Sequence, residues 1–518
     1  MHHIEKISVK VKSEISTPEK LTSIIKSARD IMRKDKGLNG DLDRLPQLTW
    51  IMFLKFLDDM EKIRETETTV ANKKYEPLIN SPYRWRDWAK YEDGITGDEL
   101  ISFVNNDEVT RPDGSRGLGL LSYLRSIEGK NGIDRRNIIS TIFREIDNRM
   151  RNGYLLRDVI NKVNRINFSS SDEIHTLSHL YETILKELRD AAGDSGEFYT
   201  PRPVVKFMVK MIDPKIGEKI LDPAAGTGGF LLESFIHLEK QCKTTKDFET
   251  LQFHSLEGIE AKSLPYMLCQ MNLLLHGIET PKIDPLNALR FPLHEIGEKD
   301  RVDIIMTNPP FGGEEESGIL SNFPKDKQTS ETALLFLQLI MKKLKRKTGE
   351  VRSSRCAIVL PKGTPLSGTG ASQRIRKELL ENFNLHTIIK LPKGVFSPYT
   401  PIATNLIFFD LSGNTKEIWY YEIFQREGKG YSKSHPMLFE EFNDCILWWE
   451  GRFENQNAWK VPIKKIEDDN FDLDQMNPNS NNFSKKESPK KMVGNMLKEI
   501  KEIESNLFEL NNLLNGKN

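Results

Sequence analysis

Asn308-Pro309-Pro310-Phe311 is the stretch of this chain whose residue types could do chemistry most directly. It follows a mostly apolar run, residues 302–306, that reads as a buried strand. Each proline fixes its own φ and lacks an N–H, so Pro309 and Pro310 end the strand in a rigid loop at its C-terminal edge. Open parallel sheets hold their ligands at that edge. An exocyclic amine conjugated to a purine ring is a poor nucleophile. Two acceptors placed on its hydrogens favour the pyramidal form whose lone pair can attack. The Asn308 side-chain oxygen and the Pro309 carbonyl are two such acceptors, and neither needs a strongly shifted pKa. Phe311 is a ring that can stack on a base rotated out of a duplex. The plainer alternative is an ordinary turn after a strand, and the neighbouring segments decide between them.

Leu221-Asp222-Pro223-Ala224-Ala225-Gly226-Thr227-Gly228-Gly229-Phe230 lies between a short strand and a helical stretch, 231–238. Small residues in such a turn let the backbone approach a ligand closely. The spacing is Gly-x-Gly-Gly rather than the dinucleotide fingerprint. A cofactor with one nucleoside-like unit and no phosphates therefore fits better than NAD, with Thr227, Gly228 and Gly229 as contacts and Asp222 in support. The next strand ends in Gly258-Ile259-Glu260, where an acid can accept hydrogen bonds from both ribose hydroxyls. Glu260 follows Asp222 at more than the usual spacing of about 20, and the polar stretch 240–251 accounts for the excess. Asp284, in Ile283-Asp284-Pro285-Leu286, stands where an adenine amine would be received. Each of these acids, taken alone, also reads as a solvated surface residue. Upstream, Glu197-Phe198-Tyr199-Thr200-Pro201-Arg202 opens a helix over 203–211, with Thr200 suited to the N-cap and Pro201 to the first turn. Phe198 and Tyr199 could also wall a nucleoside pocket.

The elements that must position these residues can be read from periodicity. Residues 17–189 are mostly helical, with apolar residues three and four apart over 48–60 and 174–188. A Gly/Ser-containing loop at 191–197 leads into short apolar runs alternating with helical stretches, the pattern of a parallel sheet covered on both faces. Strands are expected at 219–221, 255–259, 302–306, 357–360, 387–390 and 404–409, with the clearest helix at 332–344. The last two strands are joined by a proline-rich loop, 392–401, without a helix, which predicts an antiparallel closing hairpin. An aromatic run at 419–424 and an irregular polar stretch at 476–491 follow. A final amphipathic helix over 492–514 carries Met496, Ile500, Ile503, Leu507 and Leu510 on one stripe. The division that results is 1–189 helical, 190–425 catalytic, and 426–518 irregular with a terminal helix.

In order, Phe-Tyr-Thr-Pro, Asp-Pro-Ala-Ala-Gly-Thr-Gly-Gly-Phe, Gly-Ile-Glu and Asn-Pro-Pro-Phe resemble the amino-methyltransferases of DNA, with the cofactor segment first. The helical N-terminal region, Asn272-Leu273-Leu274-Leu275-His276-Gly277 and Leu360-Pro361-Lys362-Gly363 resemble the modification subunits of type I restriction systems, over most of the chain to about Asp410. The resemblance implies an α/β, Rossmann-like sheet that uses S-adenosylmethionine to methylate adenine N6 in DNA. Glu197 to Arg202, Asp222, Thr227 to Gly229, Glu260 and Asp284 would then serve the cofactor, and Asn308, Pro309, Pro310 and Phe311 the reaction. It also implies a separate specificity subunit that reads the DNA, flanked by two copies of this chain, and a separate restriction subunit. No Gly-x-x-x-x-Gly-Lys-Ser/Thr motif is present, so ATP-driven work is not expected of this chain. A methyltransferase acting on protein glutamine is an alternative, but such enzymes usually have Tyr where Phe311 stands and lack a large helical N-terminal region. A scaffold that keeps the fold without catalysis is another, against which intact Asn308 and Glu260 argue.

Composition bounds these readings. The 518 residues are 38% hydrophobic and 29% charged, which fits a globular protein of several domains. No apolar run reaches the roughly 18 residues of a membrane span, and the first dozen residues lack a secretion signal's apolar core, so a cytoplasmic protein is expected. The four cysteines, Cys242, Cys269, Cys356 and Cys445, show no metal-ligand spacing and read as free thiols. Basic and acidic residues number 75 each. A protein that grips DNA unaided is normally basic, so this balance implies help from a partner. The basic runs 342–347 and 485–491 read first as solvated faces and second as phosphate contacts.

Overall fold

The computed structural model describes residues 18–72, 74–129, 134–168, 200–311, 315–346, 353–397, 400, 402–426, 430–432 and 435–479. The helix expected over 174–188, the loop 191–197, the basic run 485–491 and the helix over 492–514 lie outside the described residues.

The N-terminal part is helical: α1 (Pro18–Met32), α2 (Asp41–Val70), α3 (Gly97–Asn105), α4 (Leu120–Ser126), α5 (Arg135–Phe143) and α6 (Gly153–Val163). Among the described residues, a hairpin of two-residue strands, Val109–Thr110 with Arg116–Gly117, is the exception to its helical texture. Buried charges tie its loops to its helices. Arg157, on α6, donates to the carbonyls of Trp88, Ala89, Tyr91 and Ile95. Asp35 accepts from the backbone N–H groups of Gly37, Arg151 and Asn152. Such buried groups are tolerated only because they are fully hydrogen-bonded.

The rest is built on one nine-stranded sheet: β1 (Ile220–Asp222), β2 (Leu256–Ile259), β3 (Lys282–Asp284), β4 (Ile304–Thr307), β5 (Arg355–Pro361), β6 (Asn384–Lys390), β7 (Thr404–Asp410), β8 (Glu417–Glu422) and β9 (Ala458–Pro462). Across the sheet the order is β9-β8-β6-β7-β5-β4-β1-β2-β3. β7 runs antiparallel to β5 and β6, β9 antiparallel to β8, and the other pairs are parallel. Helices α7 (Arg202–Ile212), α8 (Gly229–Glu239), α9 (Thr245–Phe253), α10 (Ser263–Leu275), α11 (Thr332–Lys343) and α12 (Ala371–Asn382) complete this layer structure. The central strands β1, β4, β5 and β7 are buried on both faces and so read as largely continuous apolar runs. Ile304 and Met306 of β4 join one core with α7, α8, α10 and the helical region. Ile305, between them, joins the other with α11 and α12. Helix α10 touches both α2 and α5, so it is the member shared between the helical region and the sheet.

Three expectations need correction. The β6–β7 hairpin is antiparallel as expected but does not close the sheet, because β8 and β9 extend it beyond β6. Residues after 425 are not simply irregular: β9 adds itself to the edge through Ala458, Trp459 and Val461, all buried, while Lys460 faces solvent. Trp459 stacks on Tyr420 of β8 at 5.2 Å, a cross-strand contact that the surrounding Asn, Glu and Lys residues hide from any windowed reading. Thr200 does not cap α7. The carbonyl of Pro201 receives the first helical N–H groups, those of Val204 and Val205, and Pro203 takes a first-turn position where a missing N–H costs nothing.

Candidate active site

Strand order reverses at β1, whose neighbours β2 and β4 carry the chain to opposite sides of the sheet. The crevice outside the C-terminal ends of such strands is where doubly wound folds bind ligands. Asp222 ends β1 and Thr307 ends β4, and the Thr307 hydroxyl donates to Asp222 Oδ1 at 2.7 Å. This bond fixes the spacing of the two strand ends. Asn308 comes next in the chain, and its buried side-chain oxygen has no hydrogen-bond partner among the described residues. A buried acceptor left unpaired costs about 1–3 kcal/mol, so this oxygen is available to a donor that enters the crevice. Pro309 is buried, Pro310 half-buried, and Phe311 packs its ring edge to face near Phe396, centroids 6.4 Å apart at 64°.

On the β1 side the turn 223–228 is tight. Gly226 and Gly228 have φ of 54° and 78°, the left-handed region that glycine enters without strain. Glu260 staples this turn from the end of β2, its Oε2 accepting from the Gly226 N–H at 2.8 Å and its Oε1 from the Lys262 N–H at 2.9 Å. The Glu260 N–H in turn donates to the Asp284 carbonyl at 2.9 Å, which ties the end of β3 to the same cluster. Asp284 itself pairs with Arg290 through Oδ2 and accepts from the Leu286 N–H through Oδ1. Burial pushes the Asp222 carboxyl up to about 7 against the hydrogen bonds from Thr307 and Ala224, and the Glu260 charge adds to the rise. Burial raises Glu260 as well, opposed by its two backbone donors.

The structure thus brings together Asp222, Thr227, Gly228, Gly229, Glu260, Asp284 and Asn308 to Phe311. Thr200, Pro201 and Arg202 stand at the entry to α7, whose Val205 lies against Gly229. Glu197, Phe198 and Tyr199 fall outside the described residues. The basic run at 342–346 is at the wrong end of the sheet for the crevice: Lys343 and Lys345 bond the backbone of Val302, ahead of β4, and Lys345 pairs with Asp303 at 2.7 Å. Thr307 and Phe396 were not foreseen. Thr307 had a signal, a polar residue at the end of an apolar strand beside Asn308; Phe396 had none, since its partner is distant in sequence. Cys269, Cys356 and Cys445 are buried, Cys242 is partly exposed, and all four thiols are free. Among the described residues no group of His, Cys, Asp and Glu could hold a metal, and no helix is long and apolar enough to cross a membrane.

A bare acceptor at the end of β4 beside a glycine turn at the end of β1 suits transfer of a small group to an amine, the chemistry of the DNA amino-methyltransferases. Known proteins narrow it. The family model described as N-6 DNA Methylase matches residues 172–487, and the one described as HsdM N-terminal domain matches 21–163. The type I restriction enzyme EcoEI methylase subunit of Escherichia coli is 48% identical over 469 residues, 88% of this chain and 90% of the relative. A crystal structure of a modification subunit of a putative type I restriction enzyme from Vibrio vulnificus YJ016 is 63% identical, with a TM-score of 0.83 over 90% of this chain and 98% of that one. A chain from a structural study of complex assembly and conformational transition of the type I R-M system is 39% identical, with a TM-score of 0.75 over 97% of this chain and 100% of the other. The chain belongs to the N-6 DNA methylase family, as a modification subunit of the type I restriction-modification kind, and its reaction is methylation of adenine N6 in DNA.

Proposed function

We propose that the methyl donor is S-adenosylmethionine, that the crevice between β1 and β4 is the reaction site, and that the chain acts on DNA inside a larger assembly. The observation that carries this reading is the buried, unpaired Asn308 side-chain oxygen at the switch point. The fit to the cofactor rests on the turn: a side chain at Gly226 or Gly228 would be strained at the observed φ, and an acid sits at the end of β2. Thr227 to Gly229 and Asp222 would hold the methionine part, Glu260 the ribose hydroxyls through its remaining lone pairs, and Asp284, already paired with Arg290, the adenine amine. Glu197 to Arg202 would close the pocket from the side of α7. When bound, S-adenosylmethionine supplies an electrophilic methyl group on sulfur. Asn308 Oδ1 and the Pro309 carbonyl accept the hydrogens of the target amine and aim its lone pair. Pro310 keeps the turn rigid, and Phe311 stacks on the adenine after it leaves the duplex.

The neutral charge supports a division of labour in which a specificity subunit reads the sequence, two copies of this chain flank it, and a restriction subunit is separate. The two family matches divide the chain between residues 163 and 172, ahead of the division at about 190 drawn from periodicity, and β9 joins the sheet beyond 425. The complex of this chain with its specificity subunit, given DNA and methyl-labelled S-adenosylmethionine, tests the reading. Label recovered as N6-methyladenine, and lost in Asn308→Ala, supports it. Label on protein glutamine, or cofactor binding without any transfer, overturns it.

A further inference from the structure

Asn272-Leu273-Leu274-Leu275-His276-Gly277 closes α10, and its end is well made. Gly277, at φ 86°, sits in the left-handed position while Ile278 and Gly277 donate to the carbonyls of Leu273 and Leu274, so the helix stops there. Leu273 and Leu275 are buried in the core. None of this explains the asparagine. Asn272 is 5% exposed, and its side-chain amide donates to the Thr227 carbonyl at 2.8 Å, across 45 residues of sequence. Thr227 lies between the two left-handed glycines of the turn. The N–H of the same peptide unit, on Gly228, donates to the Ala225 carbonyl at 2.8 Å. Both polar groups of the Thr227–Gly228 peptide are therefore held, and its plane cannot rotate without breaking two bonds.

The same face of α10 shapes the neighbouring position. A Cβ on Gly228 would lie 2.8 Å from Cys269 Sγ and 3.5 Å from two carbons of Leu273. Cys269, Asn272 and Leu273 are three and four residues apart, one face of one helix. The turn is thus cast against this face, with Asn272 its polar contact.

We propose that Asn272 is a positioning residue for the cofactor: it fixes the Thr227–Gly228 peptide so that the turn keeps the shape that receives the methionine part. This rests on the reading of 222–229 as the cofactor turn. Without the amide, the buried Thr227 carbonyl loses its donor and only the Gly228 N–H bond to the Ala225 carbonyl still resists a flip of the peptide. Asn272→Ala then weakens S-adenosylmethionine by about tenfold or more, the size expected when a buried carbonyl is left unpaired. Asn272→Asp, nearly the same shape, does likewise at pH 8, where a carboxylate has no proton to donate. Turnover of the complex with its specificity subunit and DNA, at saturating cofactor, changes far less than affinity.

Calorimetry on the full chain reads the first effect, turnover the second, and Glu260→Ala is the reference. Thermal unfolding confirms that each variant folds, and if Asn272→Ala does not, Asn272→Asp decides. Normal affinity in a folded Asn272 variant alongside weak binding by Glu260→Ala overturns the role of Asn272 and leaves the cofactor site standing. So does a loss of turnover at saturation equal to the loss of affinity. Normal affinity in Glu260→Ala and in the Asn272 variants together overturns the cofactor site itself.

Discussion

The two sides of the crevice come from adjacent strands, yet they treat their polar atoms differently. On the β1 and β2 side, Asp222, Glu260, the Gly226 and Gly228 N–H groups and the Thr227 carbonyl all have partners within the chain. On the β4 side, the Asn308 oxygen has none among the described residues. Paired groups hold a shape before any ligand arrives, which is what preorganisation means for binding. An unpaired buried acceptor stores a cost that only an arriving donor relieves. On the proposed reading, the described polar groups of the cofactor side are paired before any ligand arrives, and the target side is completed by the base.

If that contrast is right, the largest effect belongs to the target side. Asn308→Ala should lower turnover of the assembled complex by on the order of a hundredfold or more, because one preorganised polar contact at the reacting centre is gone. Its affinity for S-adenosylmethionine should stay within a few fold of the unaltered protein, as calorimetry will read. An equal loss in both would erase the distinction between the two sides.

Glu260→Ala sharpens the contrast from the other direction. It removes a charged acceptor from two backbone N–H groups and from the ribose, each such bond being worth roughly 1.5–3 kcal/mol, so affinity should fall at least tenfold. The effect combines a lost contact with a loosened turn, since Glu260 holds Gly226 as well.

The last effect is on stability rather than on binding or turnover. Asp222 has a usual carboxyl value of 3.8 and is raised to about 7 by burial. Between those values the folded chain binds a proton that the unfolded chain does not, so this group's contribution falls as pH rises from about 4 to about 7, by up to about 1.4 kcal/mol per unit. Asp222→Asn keeps an acceptor for Thr307 and removes the titration. Denaturant unfolding at pH 5 and pH 8 should therefore show the variant gaining on the unaltered protein at the higher pH, and equal differences at both would refute the buried carboxyl.

Legibility followed the range of the interactions. Asn308 to Phe311 and the glycine turn were readable as strand-end loops because proline and glycine restrict the backbone locally, whereas Glu260, a solvated acid when taken alone, drew notice from its place in the order of the motifs. The six expected strands are all present within a few residues. β3 was missed because Ile283 is its one apolar residue, β8 was read only as an aromatic run, and β9 was missed because its burial depends on Tyr420 nearly forty positions earlier. Asn272 was noticed only as part of a resemblance. Its bond to Thr227 is a tertiary contact, invisible to periodicity. Thr200 misled because a good capping residue stood one position from a proline whose carbonyl does the work.

The contrast between the two sides is tested most directly by titrating S-adenosylmethionine into the purified full-length chain alone, and again into its complex with the specificity subunit and DNA. The account predicts dissociation constants within a few fold of each other, because the partners of the cofactor turn all lie in this chain. Binding that appears only when DNA and the specificity subunit are present would contradict it.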